Sequence, residues 1–469
     1  MFQFDDATIE QLFGADDAES EQTNRLKEYF YYNNAYNSLT ADLPIRVLVG
    51  HKGVGKSALL KRAYLADQEH GIAASWLKPS DLTSLNTPAE SSNDFIKRIE
   101  VWKRGILVEV INSFYDKMAL EKAPELESAR IKDLISLVVS IPEHKDFHNR
   151  DNASVNVYID DIDRGWSASQ QDIRNISALL NAVRDIGGIE RRIRFRIGLR
   201  TDVYFLVRTS DESTDKIESN IIWLKWTNDE LLRVAAKRIV TFFKLEYSDE
   251  QIDTFQQSQI TDLILSRVIT PSFKGRGRWD NRPIHNILLS LTRARPRDLI
   301  KLFRLSAKRA GNNKSAIISS TDLESIFETY SQERLQDIVN EFKSEFPDIE
   351  RLLLSMKPNK KERRTSDNYL FSTPELSAKL NHIMMQNRFR FKDGSSVTAK
   401  SLMHFLYKID FITARKANKN GIIDRKYFDQ GRFLANEFND FGYSWEIHPA
   451  YRWALQPNNL QSLIDEIMK

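Results

Sequence analysis

Hydrophobic periodicity divides the chain into two differently patterned halves. Residues 1–40 read as helical and partly aromatic, with Glu28-Tyr29-Phe30-Tyr31-Tyr32 near their end. Short β-rich runs then alternate with helical spacing. Pro44-Ile45-Arg46-Val47-Leu48-Val49 ends in Gly50 and is followed by a helical pattern with Leu59, Leu60, Ala63 and Tyr64 on one face. Ile72 to Leu77 predicts a second strand, residues 93–140 are mostly helical, and Val155-Asn156-Val157-Tyr158-Ile159 is a strong strand. A long helix with Ile173, Ile176, Leu179, Leu180 and Val183 follows, expected to stop at Gly187-Gly188. Ile193 to Leu199 and Ile221 to Trp226 complete the strands. Strands alternating with helices predict an α/β fold with a parallel sheet covered on both faces.

From Thr227 onward the pattern is helical. Asn228 is the expected cap of a helix carrying Leu231, Leu232, Ala235 and Ile239, and this section runs to about Gly311. A second helical stretch spans roughly 321–356, and Lys357-Pro358-Asn359-Lys360-Lys361-Glu362-Arg363-Arg364 reads as a linker or exposed loop. Beyond it, Leu402, Phe405, Leu406 and Ile409 mark a helix. Phe411 to Ala414 and Ile422 to Arg425 flank Asn418-Lys419-Asn420-Gly421, whose Asn-Gly pair signals a hairpin. A helix followed by a hairpin fits a winged-helix domain. The expected organisation is an N-terminal helical arm (1–40), a nucleotide-binding core (41–228), a helical lid (229–312), a helical region with linker (313–395) and a winged-helix-like domain (396–469).

Composition narrows the classes. With 469 residues, 41% hydrophobic and 28% charged, the chain has room for a large domain and one or two smaller ones and reads as soluble. It has no cysteine, which excludes disulfides, thiol catalysis and cysteine-ligated zinc. No apolar run approaches the roughly 20 residues needed to cross a bilayer. The start, Met1-Phe2-Gln3-Phe4-Asp5-Asp6, lacks the order of a signal peptide, so a cytoplasmic protein is expected, with no membrane partner. The net charge of +3 confines any nucleic-acid surface to a local patch.

The candidate chemistry sits where the first strand meets its helix. Gly50-His51-Lys52-Gly53-Val54-Gly55-Lys56-Ser57 matches G-x-x-x-x-G-K-[ST] in full, with Ala58 next in the helix. Glycines let backbone N–H groups wrap phosphate oxygens, and the helix N-terminus adds donors. Lys56 is expected against the β- and γ-phosphates of ATP, and Ser57 at Mg²⁺. Val155 to Ile159 ends in Asp160-Asp161-Ile162-Asp163-Arg164, at the ligand-binding edge of such a sheet. Asp160 is the expected second Mg²⁺ group, and Asp161 the group that orients or deprotonates water. For Asp161 and Asp163, a loop carboxylate capping a helix competes with that reading.

The string Tyr158-Ile159-Asp160-Asp161-Ile162-Asp163-Arg164 resembles the hhDD-x-DR motif of AAA+-related P-loop ATPases, especially the bacterial STAND and KAP groups. Gly198-Leu199-Arg200-Thr201-Asp202 falls where their sensor 1 segment is expected. Trp226-Thr227-Asn228-Asp229-Glu230-Leu231 resembles the turn into the lid. Ala294-Arg295-Pro296-Arg297-Asp298-Leu299 is similar to the lid motif bearing a sensor 2 arginine in Orc-like and KAP proteins. Phe13-Gly14-Ala15-Asp16-Asp17-Ala18-Glu19 looks like the opening of a small bacterial ATPase group. Many AAA+ enzymes carry glutamate where this chain has Asp161, which suits slow turnover. The resemblance implies an ATPase that acts as a nucleotide-controlled switch or oligomerising ATPase in signalling or anti-phage defence.

Two arginines enter as catalytic candidates: Arg200, sensing the γ-phosphate or else a solvated strand-end charge, and Arg297, reaching the nucleotide from the lid in preference to Arg295. Arg164 is an interface candidate, with an ion pair to Asp163 as the competing role. Lys274-Gly275-Arg276-Gly277-Arg278 and the hairpin residues Arg415, Lys416, Lys419, Arg425 and Lys426 are the basic patches. They support an alternative in which nucleotide gates DNA or RNA binding, against the plainer reading of solvated surface charge. The expected partners are thus further copies of the chain, a protein, or nucleic acid.

Overall fold

A computed structural model describes residues 2–15, 21–82, 94–118, 126, 128–144, 147, 153–210, 212–275, 279–360, 362, 368–417, 423–431, 434 and 442–456. The chain forms two compact units, Asp17–Lys225 and Met1–Asp16 with Trp226–Lys469. The stretch read as one N-terminal arm is therefore divided between them.

The first unit is a five-stranded sheet in the order β2-β3-β4-β1-β5, every pairing parallel. The strands are β1 (Ile45–Gly50), β2 (Ala73–Leu77), β3 (Val155–Ile159), β4 (Ile193–Arg200) and β5 (Ile221–Trp223). Their apolar runs contain the β-branched residues that suit a doubly covered sheet. One face contributes Val47, Val49, Val157, Ile159, Phe195 and Ile197 to a core shared with Trp102 and Ile106 of the helix Phe95–Met118 and with Ile176, Leu180 and Val183 of the helix Gln170–Ile189. Burying side chains of this size contributes about 1.5–3 kcal/mol each. The other face is more polar. Asn156 and Tyr158 donate to Asp67 on the helix Lys56–Glu69 at 2.7 and 2.6 Å, tying that helix across the sheet.

Several boundaries differ from the sequence expectation; β5, for example, ends at Trp223 rather than Trp226. The helix opened by the Ser169–Asp172 capping box runs through Gly187 and Gly188 to Ile189. Gly187 packs closely on the entrance to β1: a Cβ there would lie 3.3 Å from Ile45 Cγ1 and 3.4 Å from Pro44 Cβ. The helix Asn228–Phe243 is capped by Thr227 rather than Asn228, through a capping box with Glu230.

In the second unit the helix Asp6–Phe13 is capped by Asp5 and packs by stacking Phe13 on Phe303, ring centroids 5.2 Å apart. Helices Asn228–Phe243, Ile284–Leu291 and Pro296–Asn312 follow the expected helical stretch, interrupted by the short pair β6 (Ser272–Phe273) and β7 (Arg282–Pro283). Farther on, the helices Thr373–Gln386 and Ala399–Lys408 accompany an antiparallel sheet ordered β10-β9-β11-β8. Its strands are β8 (Leu370–Phe371), β9 (Ile412–Ala417), β10 (Ile423–Lys426) and β11 (Ser444–Ile447). The expected hairpin strands are β9 and β10. Its turn, Asn418 to Gly421 with Lys419, lies outside the described residues, as do Arg276 to Arg278, Lys361, Arg363 and Arg364, and Asp16 to Glu19 of the N-terminal motif. Among the described residues no helix is long and apolar enough to cross a membrane.

Candidate nucleotide site

The loop after β1 takes its shape from glycine. Gly53 and Gly55 have φ of 85° and 98°, in the region that other residues avoid. Gly50 needs its missing side chain, since a Cβ would stand 2.7 Å from Val54 Cγ2. Gly55 delivers the chain into the helix Lys56–Glu69, so Lys56, Ser57 and Ala58 form its first turn, whose N–H groups have no acceptor within the helix. His51 is buried, and Lys52 is exposed. Lys56 Nζ donates to Gly50 O at 2.8 Å and His51 O at 3.3 Å, which folds the ammonium over the loop it serves.

β3 and β4 are neighbours, and their register brings the acidic segment to this loop. Asp160 is 6% exposed and accepts a hydrogen bond from Ser57. Burial pushes its carboxyl above the usual range, against the opposing effects of Ser57 and Lys56. Gly198 of β4 makes room for it: a Cβ there would lie 2.4 Å from Asp160 Oδ1. Periodicity marked Gly198 only as part of a strand. A glycine inside an otherwise bulky strand is the signal that could have shown a close approach.

Asp161 sits in the left-handed region, φ 54°, at the start of a tight turn in which Arg164 N donates to Asp161 O at 2.8 Å. The turn swings Asp163 inward, its side chain 9% exposed and its Oδ2 3.7 Å from Arg200 Nε. Burial raises the Asp163 carboxyl to about 6, opposed first by Arg200 and then by Lys56. Arg200 is no solvated strand end. It donates to both Asp202 oxygens, at 3.1 and 2.7 Å. Sequence reasoning assigned Asp202 no role. Arg164 is exposed, and the cation beside Asp163 is Arg200.

Lys56, Ser57, Asp160, Asp163 and Arg200 thus gather at the β1–β3–β4 edge. A buried carboxylate and a hydroxyl in contact, next to a glycine-shaped loop of N–H donors, are oxygen ligands suited to Mg²⁺ and an anion cradle suited to a triphosphate.

The remaining candidates lie in the second unit. Arg297 is part-buried in the first turn of the helix Pro296–Asn312. Arg295, its rival, is 2% exposed and donates to Asp410 at 2.8 Å, a structural tie. Arg415 and Arg425, expected on an exposed hairpin, are part-buried beside Glu446. Lys416 and Lys426 lie over the Tyr443 ring, 5.4 and 5.1 Å from its centroid.

Comparison with known proteins gives limited likenesses. Residues 229–339 match the family described as the FunZ-associated C-terminal helical domain. Over 349 residues the chain is 24% identical to the putative transposon gamma-delta 80.3 kDa protein of Escherichia coli K12, covering 72% of this chain but only 45% of that protein's length. Among solved structures, the Walker-type ATPase PABY2304 of Pyrococcus abyssi shares 11% identity over 91% of this chain and 96% of its own, with a TM-score of 0.43. The Aeropyrum pernix ORC2 protein, in ADPNP–ADP complexes, shares 10% over 95% and 97%, also with a TM-score of 0.43.

Proposed function

We propose that the chain binds ATP with Mg²⁺ at the β1–β3–β4 edge, hydrolyses it, and uses the nucleotide state to control its own assembly or its hold on a partner. The observation that carries this reading is the contact of Ser57 with the buried Asp160, in a space that Gly198 leaves open beside the Lys56 loop.

In this reading the Gly50–Ser57 backbone binds the phosphates, and Lys56 exchanges its two loop carbonyls for phosphate oxygens. Ser57 and Asp160 hold the Mg²⁺, which when bound neutralises charge that develops on the phosphates. Asp161 orients the attacking water from its tight turn. Asp163, whose proton affinity suits near-neutral pH, stands by as acceptor, and Arg200 is held by Asp202 at the strand end. Arg297 is the arginine we assign to the lid. Converting a mostly-off population to mostly-on needs about 5.5 kcal/mol of differential affinity, within reach of many contacts to a triphosphate. The resemblance to STAND and KAP proteins is what suggests homo-oligomers and a role in signalling or defence.

The test is Lys56→Ala in the full chain, read by titration of a fluorescent ATP analogue and by phosphate release. Loss of ATP affinity by roughly 10²-fold, the scale of charged hydrogen bonds removed from a phosphate, together with loss of turnover, is expected. Undiminished ATP binding would overturn the assignment.

A further inference from the structure

The second unit holds a concentration of positive charge that the nucleotide reading does not use. Glu446, on β11, is 4% exposed. Arg425 donates to it from Nε at 2.6 Å and from Nη2 at 3.3 Å, and Arg452 donates from Nη2 at 2.6 Å. Arg415 Nε stands 3.9 Å from Oε2. One carboxylate therefore serves three guanidiniums. Arg452 also gives Nε to Ile447 O at 2.9 Å, whereas Arg415 Nε is buried with no hydrogen-bond acceptor among the described residues.

These side chains line a cleft of about 760 Å³, to which β7 adds Arg282. Its lining carries four guanidiniums against two carboxylates, Glu446 and Asp424. Asp424 already accepts from Tyr443 Oη at 3.0 Å. His448, also in the lining, contributes no charge. Ala450 N donates to its Nδ1 at 3.1 Å, so Nε2 carries the proton toward Tyr427 Oη at 3.0 Å, and burial holds the ring at about 3. Three of these guanidiniums, Arg415, Arg425 and Arg452, are part-buried or buried and share the single carboxylate of Glu446, an arrangement that an added anion would relieve.

We propose that this cleft binds a small, phosphate-bearing ligand of nucleotide size, with Arg415 and Arg425 presenting guanidinium N–H groups to its phosphate. Guanidinium forks match phosphate oxygens bidentately. The volume lies within the roughly 300–1,000 Å³ typical of small-molecule sites. Glu446 then acts as the anchor that holds the arginines in position.

The test is equilibrium dialysis of radiolabelled pyrophosphate against the full chain and against Lys56→Ala, which removes the other phosphate site. One site per chain is expected to survive in Lys56→Ala. Adding Arg415→Gln should weaken it at least roughly tenfold, the scale of a lost charged hydrogen bond. Arg282→Gln, at an exposed position, covers the case in which Arg415→Gln does not fold, and should weaken the site several-fold. The absence of any pyrophosphate site in folded Lys56→Ala overturns the proposal, as does a site indifferent to Arg415→Gln or, where that variant does not fold, to Arg282→Gln. A single-stranded DNA 20-mer that binds through Arg415 while pyrophosphate does not would also overturn it, in favour of a nucleic-acid surface. Because these measurements leave ATP turnover aside, they fail or succeed separately from the ATPase reading.

Discussion

Asp160 and Asp163 in the sheet unit and Asp298 and Glu446 in the C-terminal unit are all buried carboxylates, yet their acidities move in opposite directions. The first two are raised by burial, while the second two are held far below the carboxylate range despite burial. The difference is the supply of cations. Asp298 accepts from Arg293 Nε and Nη2 at 2.7 and 2.8 Å and from Arg334 Nη1 at 2.9 Å. Asp160 has a serine hydroxyl, and Asp163 faces an arginine already clamped to Asp202. A carboxylate closed by its own arginines holds a fold together. One left short of positive charge is suited to a cation that arrives with a ligand.

The largest expected effect breaks the closed case. Asp298→Asn leaves Arg293 and Arg334 buried without their anion, and should cost about 3–5 kcal/mol of stability in the unit that contains it, measured by urea unfolding. A loss under about 1 kcal/mol would mean that Asp337, 3.0 Å from Arg334 Nη1, compensates, and that the contrast is not one of closure.

The open case should respond to pH with the opposite sign. Asp163 binds its proton more tightly when folded, with its acidity moved from 3.8 to about 6. Its contribution to stability is therefore present at low pH and lost as pH rises through that window, on the order of 2–3 kcal/mol at 1.36 kcal/mol per unit. Asp163→Asn removes the penalty. In chelator, its stability relative to the parent should grow as pH rises from about 4 to about 6, then stay flat. A pH-independent difference would show that Arg200 already neutralises Asp163.

Gly198→Ala sharpens the contrast from the packing side. The new Cβ would meet Asp160 Oδ1 and, at 2.9 Å, Leu60 Cδ1, so something must shift. Overpacking of this kind costs about 1–3 kcal/mol. With Asp160 displaced from Ser57, phosphate release should fall at least as far as stability does. Unchanged turnover in a folded protein would remove Asp160 from the site.

This residue also marks what the sequence made legible. The loop could be read because its parts lie within eight consecutive positions, and Asp160 because it ends an apolar strand. The role of Gly198 depends on β3 lying beside β4, which no local pattern states. The inward turn of Arg415 and Arg425 depends likewise on their contacts with β11: Arg425 reaches Glu446 across 21 residues, and Arg295 reaches Asp410 across 115. Charge in a hairpin reads as surface until the partner strand is known. The capping Thr227 was misread by one residue because Thr227 and Asn228 are both good caps, and only the reciprocal bond to Glu230 chooses between them.

The smallest effect tests why the helix Gln170–Ile189 passes through two glycines. Either glycine could have ended it, but the pair plays two parts. A Cβ on Gly187 would press on Ile45 and Pro44 at the entrance to β1, whereas one on Gly188 meets nothing within 4 Å. Gly188 is exposed and helical, so Gly188→Ala should stabilise the sheet unit by about 0.5–1 kcal/mol by limiting the unfolded chain. Gly187→Ala should gain less, because the added methyl, 3.3 Å from Ile45 Cγ1, needs that side chain to give by a few tenths of an ångström. Paired thermal melts decide the matter. Equal gains from both would show that the helix tolerates a side chain at Gly187, and that the close approach to β1 is not what keeps glycine there.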